Sequence, residues 1–297
     1  MRVATVNPRP RVAFIAEEAL ERHVPRECSW AEARIFPVAG GAWREAARAA
    51  AGFLPEVSIV LGAAGVDAGA LALLPGIRIG VVTTVPDRPG RARLAGLVSG
   101  GGFTWLTWPA PPPLDPSLRI LQCLPLPVDT ARALPAVALE RMGVAAVASA
   151  PPPPSVLERV RAIAPVAILD EAVDLSARLA AYGVLLHWSE KPLAEGVALQ
   201  ALANGLLLVS NRALPEPWAI EPEDEYLLRL AARDFADAVE AVLRAPEPAR
   251  AVRLRAWQKV REAFAADRVF ERLVHDALLE ADAAALLGRI RRDGDGE

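Results

Sequence analysis

Two short stretches of this chain, VSIVLG from Val57 and IRIGVV from Ile77, are almost wholly apolar and show no alternation of polar and apolar residues. A strand with one solvated face alternates, so runs of this kind are strands covered on both faces, as in a parallel sheet flanked by helices. From Arg11 onward such runs alternate with helical patterns: RVAFIA, RIFPVAGG, GAWREAARAAAGFL, VSIVLG, a Gly/Ala-rich segment to Leu74, IRIGVVTT, RARLAGLV, FTWLTW and RILQCLPLPVD. The first half therefore reads as α/β and doubly wound.

The tract PAPPPLDP (Pro109 to Pro116) interrupts this half and PLPVDTARALP (Pro125 to Pro135) ends it, because proline fixes φ and removes a backbone donor. A boundary near Asp129 follows. Beyond it a second alternation runs through MGVAAVASA, a PPPP turn, SVLERVRAIA, VAILD, DLSARLAAY, GVLLHW, EGVALQALAN, LLLVS, a strand-like DEYLLRLA and the helical DFADAVEAVLRA. From Ala249 the pattern is helical, with apolar residues three and four apart. The 297 residues suit two such domains at roughly 150 residues each. The expected division is 1–130, 131–265 and closing helices over 266–297.

Composition narrows the partners. The chain is 53% hydrophobic and 23% charged with a formal net charge of −3, the balance of a soluble globular protein. The 33 Lys and Arg form no clustered run against 36 acids, so no nucleic-acid footprint is expected. Arginine carries nearly all the positive charge, the two lysines being Lys191 and Lys259. Cys28 and Cys123 lack metal-ligand spacing, and no metal or cofactor is expected. The start, MRVATVNPRPRVAF, lacks the charged-then-apolar design of a signal peptide, which makes the cytoplasm the default location. No apolar stretch is long enough to predict a membrane span. RVAFI is not followed by a dinucleotide-binding Gly-x-Gly-x-x-Gly, and no G-x-S-x-G elbow occurs. The glycines after Ser99 follow a helix and precede FTWLTW, the order of an αβ turn rather than a phosphate loop.

Ligands of open α/β sheets bind outside the carboxyl ends of the strands. In the first half those positions are 16–18, 62–65, 83–84 and Pro109; in the second they are 149–151, 170–171, 187–190 and 210–211. The second set is the more polar, and HWSEKPLAEGVALQALANGLLLVSN from His187 supplies most of it. Glu195 and Gly196 open a helix whose free N–H groups and dipole favour an anion. Equally, Glu195 can complement the dipole and Gly196 relieve packing. The helix is apolar almost all round and should be buried, ending at Asn204-Gly205 in a left-handed cap. His187 can bond a sugar or phosphate, or pack as a strand-end histidine beside Trp188. Glu17 and Glu18 directly follow the first strand, either as a general base or as first-turn carboxylates. His23 and His275 are weaker candidates, and Trp105 with Trp108 suits either a sugar platform or the core.

Read together, LQALANG with LLLVS and FADAVEAVLRAPE match a helix of the type E-A-x-A-x-G, a strand ending in Ser or Thr, and a later L-a-x-x-v-x-x-L-L helix. On these residues the span from Gly143 to Leu278 resembles the C-terminal half of GT-B glycosyltransferases, especially the CgeB-like group and the family 1 or 4-like C-terminal domains. The resemblance implies two Rossmann-like domains facing across a cleft, the first holding an acceptor and the second a nucleotide-sugar, with the helices over 266–297 returning to the first. It implies sugar transfer from a UDP, GDP or TDP-type donor to an unknown acceptor without a bound metal, in a chain that could form homo-oligomers. The donor-binding positions are then Ser149, His187, Lys191, Glu195, Gly196, Gln200 and Ser210, and the catalytic candidates Glu17, Glu18 and His187. Retaining members of the wider group carry a pair of glutamates around this helix; Pro192 and Gln200 occupy those positions here. That absence keeps open a non-catalytic module binding a nucleotide, sugar or protein, and a nucleotide-sugar epimerase is a third class of the same architecture.

Overall fold

The structure is a computed structural model that describes residues 9–83, 85–109, 115–123, 127–128, 140–148, 151–170, 175–188 and 195–294. The chain divides into two compact units, 1–124 together with 266–297, and 125–265.

In the first unit the described strands and helices are β1 (Arg11–Glu17), β2 (Glu32–Val38), α1 (Trp43–Gly52), β3 (Val57–Leu61), α2 (Ala68–Leu71), β4 (Ile77–Val81), α3 (Arg88–Ser99), β5 (Trp105–Trp108) and β6 (Ile120–Cys123), in that chain order. The strands form one sheet in the order β2-β1-β3-β4-β5-β6, with every pair parallel. All five residues of β3 are buried, the property that its unbroken apolar run encodes. One face carries Ala13, Ile15, Val60 and Leu106 against Trp43, Leu94 and Val98 of the flanking helices. On the other, Phe14, Ile59, Ile79 and Trp105 stand in register across four strands. The glycines after Ser99 form the expected helix-to-strand turn: Gly101 has φ +73°, and Gly102 N–H returns to the Leu97 carbonyl at 2.7 Å.

The chain's last described helix belongs to this unit and is numbered below after those of the second. That second unit holds β7 (Val144–Val147), α4 (Pro154–Arg161), β8 (Val166–Leu169), α5 (Leu175–Leu179), β9 (Val184–His187), α6 (Glu195–Ala203), β10 (Leu207–Ser210), β11 (Leu227–Leu228), α7 (Ala232–Arg244) and α8 (Pro246–Ala263). Its sheet runs β11-β10-β9-β7-β8, again all parallel. The strand-like stretch around Tyr226 is mostly turn, with a strand of two residues. In both units the first strand has the second on one side and the third on the other, so the winding reverses beside β1 and beside β7. Such reversals open a crevice at the strand ends. The remaining helix is α9 (Ala266–Gly294), which closes the first unit: Val269, Phe270, Leu273, Val274 and Ala277 are buried, and the Phe270 ring meets Phe14 edge-on at 5.0 Å. Among the described residues no helix is long and apolar enough to cross a membrane.

Helix α6 is buried at Val197, Ala198, Leu199, Ala201 and Leu202. It ends in a Schellman cap, with Gly205 at φ +71°, Gly205 N–H on the Leu202 carbonyl and Leu206 N–H on that of Ala201. The carbonyl of Gly205 accepts from Arg253 Nε at 2.6 Å, and Arg253 Nη1 donates to the Arg141 carbonyl at 3.2 Å. Arg253 is 2% exposed, and burial, with repulsion from Arg250 and Arg141, lowers its pKa to about 10. Replacing Arg253 with Ala should destabilise the second unit by about 3–5 kcal/mol, since two charge-assisted bonds are lost and the buried Gly205 carbonyl and the half-buried Arg141 carbonyl lose this donor. Arg253→Lys should recover only part, because an ammonium lacks the fork. Urea midpoints of the three proteins check this; equal midpoints for wild type and Arg253→Ala would reduce the clamp to a spectator.

Candidate functional site

In the second unit, parallel pairing sets Ser210 at the end of β10 directly beside His187 at the end of β9. His187 is 1% exposed, and its Nδ1 lies 3.1 Å from Ser210 Oγ. The Ser210 hydroxyl donates to the Arg212 carbonyl at 2.9 Å and accepts from Arg212 N–H at 3.2 Å. With its one proton committed there, Ser210 accepts from His187 Nδ1–H. Asn211 N–H also reaches the His187 carbonyl at 3.3 Å, so the pair holds the turn beyond β10. Trp188 packs on Phe235 of α7, with ring centroids 5.3 Å apart. His187 is thus a buried strand-end histidine bonded to Ser210.

The same strand end is tied outward. Arg229 N–H donates to the Ser210 carbonyl at 2.7 Å, and the Arg229 guanidinium grips Glu223 through Nη1 at 2.6 Å and Nη2 at 3.2 Å. That bidentate bond holds the Glu223 carboxyl below its usual range. Nothing in the spacing of Ser210, Glu223 and Arg229 along the chain announces this clasp; it depends on β11 pairing with β10.

Of the donor positions, Ser149 and Lys191 lie outside the described residues, as does the side chain of Glu195. Gly196, in the first turn of α6, is exposed, and a Cβ built there meets no atom of the described residues within 4 Å beyond its own chain neighbours and helix backbone. Gln200, one turn further, is partly buried, and its Oε1 is shielded from solvent without a hydrogen-bond partner among the described residues. A shielded amide oxygen with no donor is uncommon and marks a place where a ligand or water can complete the bonding.

In the first unit Glu17 and Glu18 separate. Glu17 closes β1 and is half-buried, whereas Glu18 is exposed in the first turn of a 3-10 helix over Glu18–His23. The Glu17 carboxylate lies over the loop after β3, at the reversal beside β1. A Cβ on Gly65 would stand 3.3 Å from Glu17 Oε1, and one on Gly62 would stand 3.8 Å from Glu17 Cδ, with Trp43 beside both. Arg93 of α3, unremarked in sequence because it is one arginine of several on a helix, fixes this loop. Its Nη1 donates to the Ala64 carbonyl at 2.9 Å and its Nη2 to that of Val66 at 2.7 Å. His23 is buried against Arg22, whose Nε lies 3.2 Å from His23 Nε2, while His275 is exposed beside Asp276. Among the described residues no group of three or more His, Cys, Asp and Glu could hold a metal ion.

No family model matches the chain, and no curated protein matches it. Solved structures do. An alpha-glucosyltransferase in complex with UDP-glucose and DNA containing an abasic site aligns with a TM-score of 0.59 at 10% identity, over 91% of this chain and 99% of its own. HepE of Anabaena in complex with UDP and glucose aligns with a TM-score of 0.55 at 10% identity, over 93% and 99%. For S. aureus TarM the TM-score is 0.53 at 10% identity over 74% of this chain, which spans 55% of that longer protein. At these identities the likeness is one of fold: the chain has the α/β architecture of the GT-B glycosyltransferases, with two Rossmann-like units in tandem.

Proposed function

We propose that this protein transfers a sugar from a nucleotide-sugar donor to an acceptor, the donor being held at the strand ends of the second unit. The observation that carries the reading is the start of α6, where no described residue crowds Gly196, which leaves backbone N–H groups approachable by a diphosphate, while Gln200 Oε1 lacks a partner among the described residues. The N–H groups would hold the diphosphate, and Gln200 would accept from a ribose hydroxyl. Ser210 and His187 would keep the adjoining turn in shape. Likeness in fold to proteins solved with UDP and UDP-glucose supports a uridine nucleotide as the first to try. In the first unit Glu17 is the better placed of the two glutamates to take the acceptor's proton, being half-buried at the reversal rather than exposed beyond it.

Thermal shift with UDP, GDP, ADP and TDP tests the binding half. A nucleotide at ~100 times its dissociation constant should stabilise the protein by about 2.7 kcal/mol. Hydrolysis of UDP-sugars tests the chemical half. Binding without turnover of any donor, in the presence of acceptor extracts, would favour the module that Pro192 and Gln200 leave open. Absence of any shift would defeat the donor site.

Gln200 permits a sharper check. A glutamate there can accept from two ribose hydroxyls, and we expect Gln200→Glu to tighten UDP binding by about 1–2 kcal/mol. The free variant should melt lower, because an unpartnered carboxylate in a shielded position is costly. Calorimetry and melting together read both effects; weaker UDP binding by Gln200→Glu would take the ribose away from this position.

A further inference from the structure

The row Phe14, Ile59, Ile79 and Trp105 runs across the first unit's sheet, and α9 covers it at the Phe14 end. At the far end, over β5 and β6, helix and sheet part, leaving a groove of about 610 Å³ lined by Trp105, Arg119, Ile120, Glu280, Ala281 and Ala284, among others. Small residues on the helix side, Ala281 and Ala284, keep it open. Trp105 and Trp108 lie an odd number of residues apart on one strand, so they face opposite sides of the sheet. Trp108 is buried in the core, and the half-buried Trp105 lines the groove.

Two charged side chains at this groove are free to meet a ligand. Arg119 and Glu280 are exposed, and their side chains make no hydrogen bond or ion pair among the described residues. The set combines an aromatic surface, a cation that donates and an anion that accepts. A phosphate or a polyanion would meet Glu280, and a purely apolar ligand would leave the polar groups unsatisfied. A neutral saccharide offers a C–H face for the indole and hydroxyls that both donate and accept.

We infer that this groove binds a neutral oligosaccharide at a site separate from catalysis. Trp105 and Ile120 begin their strands, so the groove lies at the amino ends of the sheet, opposite the carboxyl ends where an α/β enzyme does its chemistry. It would hold sugar units at a distance from any reacting group, and its existence does not depend on the donor site in the second unit.

The test uses the full chain and maltopentaose, cellopentaose and chitopentaose in calorimetry, beside the UDP thermal shift. At least one oligosaccharide should bind, with Trp105→Ala weakening it about tenfold or more, as removal of an aromatic anchor does. Glu280→Ala, on the exposed helix face, should weaken it several-fold without disturbing the fold or the UDP shift. Failure of all three to bind at millimolar concentration overturns the inference even if UDP binds. So does binding that survives both substitutions, or binding confined to a sulfated oligosaccharide and lost only with Arg119→Ser. Oligosaccharide binding without any UDP shift would leave the groove standing and defeat the donor site alone.

Discussion

Truncation after Ala265 should unfold the first unit. The deletion removes Val269, Phe270, Leu273 and Val274, all almost fully buried, and bares the sheet face around Phe14. At about 1.5–3 kcal/mol per large apolar side chain, these four contribute roughly 6–12 kcal/mol. That is comparable to the whole stability of an ordinary domain, about 5–15 kcal/mol. The truncated chain should therefore lose one melting transition, bind a hydrophobic dye, and be digested over 9–124 while 140–263 resists. Phe270→Ala is the milder version and should cost about 3–5 kcal/mol, loss of ring and cavity together. A truncated protein melting like the full chain would mean that α9 merely rests on the sheet.

Gly196→Val should cut UDP binding about 100-fold or more, equivalent to about 2.7 kcal/mol, with the melting temperature of the free protein nearly unchanged. The two halves of this prediction rest on one observation. A side chain at 196 meets none of the described residues, so the described fold accepts it; that same side is where the donor's diphosphate would approach the backbone. Gly196→Ala, with a smaller obstruction, should fall between. Calorimetry with UDP on the three proteins decides it. Undiminished binding by Gly196→Val would remove the diphosphate from the start of α6, and with it the reading that depends on this helix.

Much of the architecture was legible because burial on both faces leaves a one-dimensional trace. VSIVL has no polar alternation and is β3, buried throughout. EGVALQALA is apolar almost all round and is α6, buried at Val197, Ala198, Leu199, Ala201 and Leu202, with Gly205 in the left-handed cap that its position after Asn204 suggested. The candidate site was legible only as a set of strand ends. Glu17 and Glu18 are consecutive and chemically alike, and where β1 stops decides which is half-buried and which exposed. His187 and Ser210 could be placed at strand ends from their runs, but their hydrogen bond requires β9 and β10 to be neighbours in a particular register.

Arg253 shows the limit most plainly. In AVRLRAWQKVREAF it reads as one more charged residue on the wet side of an amphipathic helix, yet it is buried and clamps the carbonyl of Gly205, far earlier in the chain. Periodicity and punctuation are local properties, written residue by residue in what a strand or helix must bury, and from them follow the elements, their parallel pairing and the two-unit plan. Register, strand neighbours and the partners of charged groups depend on which distant segments pack together. Those choices are settled by the free energy of the whole core, because a guanidinium or a carboxylate can be buried wherever the folded chain brings it a matching group, and nothing adjacent in the chain records where that is.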